Sequence, residues 1–187
     1  MNEGMRLSDI AGYCPEKAIW KMIADLTDHL LDSNQELRMA PGNIMVAGDS
    51  FLIVSDKGTD DFFVAPEGNV DQMPTQAQTV WSIGALIYYA STSRILFGGH
   101  GGSYQRLHPG VSLPVLPKNH QGLTPIMQRC LCPNPSERIS FGELNDKAKK
   151  GLEECSKRKR IVLCSGGEPE KTDDIIHNLW PEKMIEL

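Results

Sequence analysis

The run Phe97-Gly98-Gly99-His100-Gly101-Gly102-Ser103-Tyr104 is the first place to look for chemistry in this chain, because glycines let backbone amides approach and cradle a phosphate. It lacks the Gly-Lys-Ser/Thr ending that a phosphate loop needs, and it follows a helical stretch instead of a strand. It therefore reads as a flexible link to the next helix. His100, His108 and His120 lie in or near this Pro/Gly-rich region without metal-ligand spacing and read as solvated loop residues. His29 has no nucleophile or metal partner nearby in sequence and reads as a surface or capping histidine. The five cysteines, Cys14, Cys130, Cys132, Cys155 and Cys164, include no Cys-x-x-Cys pair. A disulfide framework or a zinc site is not expected, and the thiols read as reduced.

Positioning elements come next. Gln76 to Ala90 has the length of a helix, yet Val80, Trp81, Ile83, Leu86, Ile87, Tyr88 and Tyr89 point around most of the cylinder. A helix that is apolar all round must be enclosed, and its run of about ten apolar residues is well short of the ~20 that span a bilayer. It reads as a buried central helix. Cys14-Pro15-Glu16 opens another helix, running to about Leu31, with Pro in the first turn and an acid that complements the dipole. Ile19, Ile23, Leu26 and Leu30 form its core stripe, with Trp20, Thr27 and Leu31 beside them. Leu7 to Ile10 read as a short helical turn. Asn43–Val46 and Phe51–Val54, separated by a Gly-Asp turn, read as a hairpin. A helix beginning at Ser140 is expected to end near Cys155.

The order of short motifs resembles the C-terminal lobe of eukaryotic-type protein kinases. Ala40-Pro41-Gly42-Asn43-Ile44-Met45 is similar to the family's catalytic-loop ending, Asp56-Lys57-Gly58 to its Asp-Phe-Gly, and Ala65-Pro66-Glu67 to its Ala-Pro-Glu. Thr79-Val80-Trp81-Ser82-Ile83-Gly84 is similar to the start of its buried helix, and Leu123 to Ser140 to its late segment ending in arginine. Five matches in the right order cover about Pro15 to Leu152. The resemblance implies a mainly α, kinase C-lobe-like domain over residues 7–155, with a small β-hairpin and no N-terminal lobe. Residues 156–187 lie outside the resemblance and read as an extension, with Ile161–Cys164 a short strand or extended segment, 165–171 a turn-rich link, and 172–180 a small helix that packs back on the lobe or contacts a partner. The resemblance also implies structural roles for Pro66 and Trp81, and an ion pair between Glu67 and Arg138.

Phosphoryl transfer needs a glycine-rich cover, a phosphate-binding lysine, metal ligands and a catalytic carboxylate. Glu36, Leu37 and Arg38 stand at the catalytic His-Arg-Asp positions, and Ala40 at the loop lysine. A guanidinium cannot accept a substrate's proton. Asn43 and Asp56 keep the two metal-ligand positions, but two oxygen ligands without phosphates hold magnesium poorly. The segment between Gly58 and Ala65 is short for a phosphorylation switch, which leaves Thr59 a plain loop residue. Thr79 replaces the aspartate that ties the family's central helix to the catalytic loop, and with catalysis gone that tether is expected to be dispensable.

The expectation is a catalytically inactive lobe, not an enzyme, that serves as a protein- or peptide-binding scaffold without cofactor or metal. Its rival is a split or degenerate kinase that takes an upper lobe from another chain. Met39, Met45 and Phe51, on the surface an upper lobe would cover, are the candidate contacts. The net charge of −5 argues against nucleic acid and leaves room for a basic peptide partner. The basic run Lys157–Arg160 reads as a solvated helix end. The polar N-terminus, with no apolar signal core, points to the cytoplasm, and no membrane association is expected.

Overall fold

A computed structural model describes residues 5–54 and 60–164, with side chains as far as residue 157. The chain is mainly helical with one small antiparallel sheet. Strand β1 (Met5–Arg6) leads into helix α1 (Leu7–Ile10), where the Asp9 carboxylate accepts from the Arg6 backbone N–H at 2.8 Å. Helix α2 (Glu16–Ser33) starts one residue after Pro15, which is its N-cap, and ends at Asn34 in the left-handed region. Its core stripe buries Ile19, Ile23, Leu26 and Leu30. The hairpin is β2 (Ile44–Ala47) and β3 (Ser50–Ile53), and β1 pairs with β2 to complete three strands in the order β1-β2-β3. That first strand was not legible in the sequence, because two residues carry no periodicity.

Helix α3 (Gln76–Thr92) is the buried central element. The Thr75 hydroxyl accepts from the Gln78 N–H at 3.3 Å, and the Gln78 side chain accepts from the Thr75 N–H at 3.0 Å, a reciprocal cap. Val80, Trp81, Ile83, Leu86 and Ile87 are fully enclosed. Gly84 allows this: a Cβ there would lie 2.7 Å from the Cys130 Cβ and 3.0 Å from Leu131. Those neighbours belong to, or directly follow, α6 (Thr124–Cys130), so the glycine sets how closely the two helices pack.

Helix α7 (Phe141–Cys164) lies along α2. Asn145 on α7 donates to the Thr27 hydroxyl at 2.8 Å and to Asp28 at 2.9 Å, a buried polar contact between the helices, and Lys149 pairs with the same Asp28 at 2.8 Å. The helix is continuous through residues 155 and 156, where a domain boundary was expected, and Ile161–Cys164 is its last turn instead of a strand. The β-branched pair Ile161-Val162 invites a strand reading, but a helix already nucleated upstream propagates at one hydrogen bond per residue and overrides that preference. The expected link at 165–171 and helix at 172–180 fall outside the described residues.

The glycine-rich run is packed, not loose. It contains α4 (Leu96–Gly99), with left-handed backbone at Phe97 and Gly98, and α5 (Gly101–Leu107). Gly101 and Gly102 are buried against the 61–66 segment, and a Cβ on either would fall inside the carbonyl oxygens of Phe62 and Val64 respectively. Glycine is required here for close backbone approach, not for flexibility. His120 also departs from expectation. It is buried, and its Nε2 donates to the Cys14 carbonyl at 2.8 Å, bringing the 118–123 turn onto the start of α2. His29 is exposed.

Replacing Gly102 by alanine is expected to destabilise the fold by about 1–3 kcal/mol through overpacking, whereas Gly110→Ala, with open space around it, should be near neutral. Paired urea titrations of the two variants measure the difference. Cys14 and Cys130 are buried; burial pushes the Cys14 thiol up to about 12, and burial, with a smaller contribution from neighbouring Cys132, raises Cys130 as well. In the native protein both should react with a thiol reagent at pH 8 at least about tenfold more slowly than the half-buried Cys132 and Cys155. Mass spectrometry of the labelled peptides reads the order directly.

Candidate functional site

Two regions carry the side chains that sequence singled out. One is the junction where the 61–75 segment meets the chain after α6. Arg138, at the end of the short 3-10 turn Pro135–Glu137, turns its side chain inward so that only 1% of it is exposed. Its Nη1 and Nη2 reach the two Glu67 carboxylate oxygens at 2.6 and 2.8 Å. The same guanidinium donates to the carbonyls of Ala77 at 2.9 Å, Cys132 at 2.8 Å and Pro133 at 3.2 Å. Five donors meet five acceptors, which is how a buried guanidinium is kept without an unmatched N–H. The Glu67 side chain is 32% exposed, so the pair is desolvated on one side only. Pro66 is buried beside it.

Trp81 lies deeper. Its indole Nε1 donates to Gln105 Oε1 at 2.8 Å, and Gln105 Nε2 donates to the Leu131 carbonyl at 2.8 Å. Ser82 donates to the Phe63 carbonyl at 2.6 Å. These bonds join α3 to α5, to the end of α6 and to the 61–63 turn. Gln105 was missed in the sequence, where nothing in its neighbourhood separates a buried glutamine from an exposed one.

The second region is the loop from Glu36 to Asn43. Arg38 donates from Nη2 to the Asn69 carbonyl at 2.9 Å and also to the Gln72 carbonyl, clasping the loop that precedes α3. Asn43 is buried. Its Oδ1 accepts from the Ala40 N–H at 2.9 Å, and its Nδ2 donates to the Arg38 carbonyl at 2.8 Å, so both ends of the amide hold loop backbone. Asp56 and Thr59 lie outside the described residues. Thr79 still ties α3 to this loop, since its hydroxyl donates to the Leu37 carbonyl at 3.1 Å. The tether was expected to be dispensable and instead persists as a single hydroxyl bond. Among the described residues, no three His, Cys, Asp or Glu side chains gather as a metal-binding group.

The expected contact surface is largely internal. Met39 and Phe51 are buried, and only Met45 is partly accessible. Alternation along the hairpin explains this. Phe51 N–H donates to Asp25 Oδ2 at 2.9 Å, docking β3 on α2, so Phe51 faces the core while its neighbour Leu52 faces out. Met45 is the cross-strand partner of Leu52. Leu52 and Val54, at 45% and 42% exposed, are the apolar residues this face presents.

A groove of about 290 Å³ opens where α2, α6 and α7 meet, and it contains none of the residues expected to carry function. Trp20, Ile126 and Ile139 line its apolar part, with Pro125 at the edge. Arg129, Lys147, Lys150 and Glu154 surround them. Gly151 opens the groove floor, because a Cβ there would meet the Trp20 ring at 2.5 Å. Arg129 is bidentate to Glu143, with one contact at 2.9 Å, and that pairing raises the arginine pKa and lowers the glutamate's. Lys147 and Lys150 are exposed and have no ion-pair partner among the described residues. The signal for this groove was present as Lys147, Lys150 and Glu154 at three- and four-residue steps, with Gly151 between them, but it needs Trp20 from a distant helix to become a site.

Comparison with known proteins finds no matching family model and no matching curated protein. No described helix is long and apolar enough to cross a membrane.

Arg138→Ala should cost about 3–5 kcal/mol, since it strips Glu67 and three carbonyls of their donor. Glu67→Ala should cost about as much, because it leaves a guanidinium that is only 1% exposed without its counter-charge and with two N–H donors unmatched. A loss below about 1 kcal/mol for Glu67→Ala in chemical denaturation would contradict this.

Proposed function

We propose that the chain is a non-catalytic, protein-kinase-like lobe that serves as a scaffold for a protein or peptide partner. Support for the likeness comes from the ordered motifs between Pro15 and Leu152, together with the two-pronged contact between Glu67 and Arg138, the residues those motifs pair. The observation that carries the non-catalytic reading is Arg38. It stands where the likeness puts a catalytic carboxylate, and its guanidinium is bound to the Asn69 and Gln72 carbonyls. A group that cannot accept a proton therefore holds the position, and its hydrogen bonds serve loop structure.

The rival, a split kinase that uses Asn43 as a metal ligand, would have to break the bonds that amide makes to Ala40 and Arg38 or add a metal to an oxygen already accepting from backbone. The scaffold reading needs no such rearrangement. Its contact face is revised from Met39 and Phe51, which are internal, to the outward side of the hairpin with Met45, Leu52 and Val54.

Titration with ATP and magnesium should leave the melting temperature unchanged within about 1 °C. A nucleotide present at about 100 times its Kd would instead add about 2.7 kcal/mol, which is several degrees for a chain of this size. Such a shift would overturn the non-catalytic reading. Capture of a partner from native extract should be lost when Leu52→Asp and Val54→Asp are combined.

A further inference from the structure

The groove where α2, α6 and α7 meet shares no lining residue with the hairpin face or with the Arg38 loop. Its apolar floor is narrow. Trp20, Ile126 and Ile139 keep only 8%, 6% and 2% of their surface exposed, and the volume of about 290 Å³ falls at the bottom of the ~300–1,000 Å³ typical of small-molecule sites. That space takes one bulky apolar side chain, not a whole helix face.

The charges around the floor select what carries that side chain. Arg129 is already paired with Glu143, so the free cations of the lining are Lys147 and Lys150, which are exposed and have no ion-pair partner among the described residues. They stand about one turn apart on α7. Glu154 follows four residues after Lys150, about 10 Å along the helix from Lys147. The rim is thus positive at its Lys147 end and negative at its Glu154 end. The net charge of −5 taken alone would favour a basic partner, but salt screens exposed charges beyond about 8–10 Å, so the lysines at the rim decide what can dock there.

We propose that this groove binds an acidic peptide segment of a partner protein. One large apolar side chain of that segment enters the slot over Trp20, Ile126 and Ile139. Its carboxylates lie beside Lys147 and Lys150, away from Glu154. The site is separate from the hairpin face and does not rest on the kinase likeness.

Selection of a random peptide library displayed on phage, with the full chain as bait, tests this. One class of recovered sequences should carry adjacent Asp or Glu residues next to Leu, Ile, Phe or Trp. The corresponding synthetic peptides should bind Lys147→Glu/Lys150→Glu at least about tenfold more weakly and Glu154→Lys more tightly, and their affinity should fall as salt is raised. All three residues are exposed, so the variants should keep the melting temperature of the unaltered chain and the comparison stays clean. On peptide addition the Trp20 indole N–H signal in an NMR spectrum should move, while that of Trp81, enclosed and bonded to Gln105, should not. A selection that yields no acidic peptide weakened by the lysine reversal would overturn the proposal. Self-association of the chain that the same reversal abolishes would also overturn it, because the groove would then belong to a second copy.

Discussion

The buried guanidinium of Arg138 is the constraint on which much of the lower half of the molecule depends. It gathers three stretches of chain: Glu67 after the 61–63 turn, Ala77 in the first turn of α3, and the carbonyls of Cys132 and Pro133 after α6. The stretches around Glu67 and directly after α6 lie outside the helices and strands, where no regular backbone ladder fixes the path of the chain. A planar cation with five donors in a rigid fork does so by geometry, because every N–H must find an acceptor once water is excluded. The partial exposure of Glu67 limits the desolvation cost on the anionic side.

Around that lock the packing is set by close backbone approach. Gly84 lets α3 settle onto Cys130 and Leu131, Gly101 and Gly102 let α5 meet the carbonyls of the 61–66 segment, and Gly151 lets α7 meet the Trp20 ring. Polar bonds then fix register where apolar contact is non-directional. Trp81, Gln105 and the Leu131 carbonyl form one such chain, and Asn145 with Thr27 and Asp28 forms another. The hub helix α3 and the loop around Arg38 are joined through Thr79, whose hydroxyl donates to the Leu37 carbonyl.

The main helices and the hairpin were legible because their signals are local. The three-to-four-residue stripe of α2, the all-round apolarity of α3 with its Thr75–Gln78 cap, and the Gly-Asp turn of the hairpin each depend on a few neighbouring residues. Three of the misreadings share a cause. The glycine run was read as slack, His120 as solvated, and Met39 and Phe51 as surface, and in each case the deciding partner lies far away in sequence: Phe62 and Val64, Cys14, and α2 with its Asp25. Sequence position says which residues can be buried together, not which ones are.

The amino-acid sequence by itself determined the helical character of the chain, the place of its central helix, and the presence of a cation, Arg38, in the loop before the hairpin. Those follow from local periodicity and from the chemistry of single side chains. Only the tertiary structure decided what the cation does, which of the hairpin's residues face out, and that Trp20, Ile126 and Ile139 meet beneath Lys147 and Lys150 to form a groove. The reason is physical. Burial and hydrogen-bond partnership are properties of pairs brought together by folding, and a groove formed by three helices has no counterpart in any one stretch of the chain.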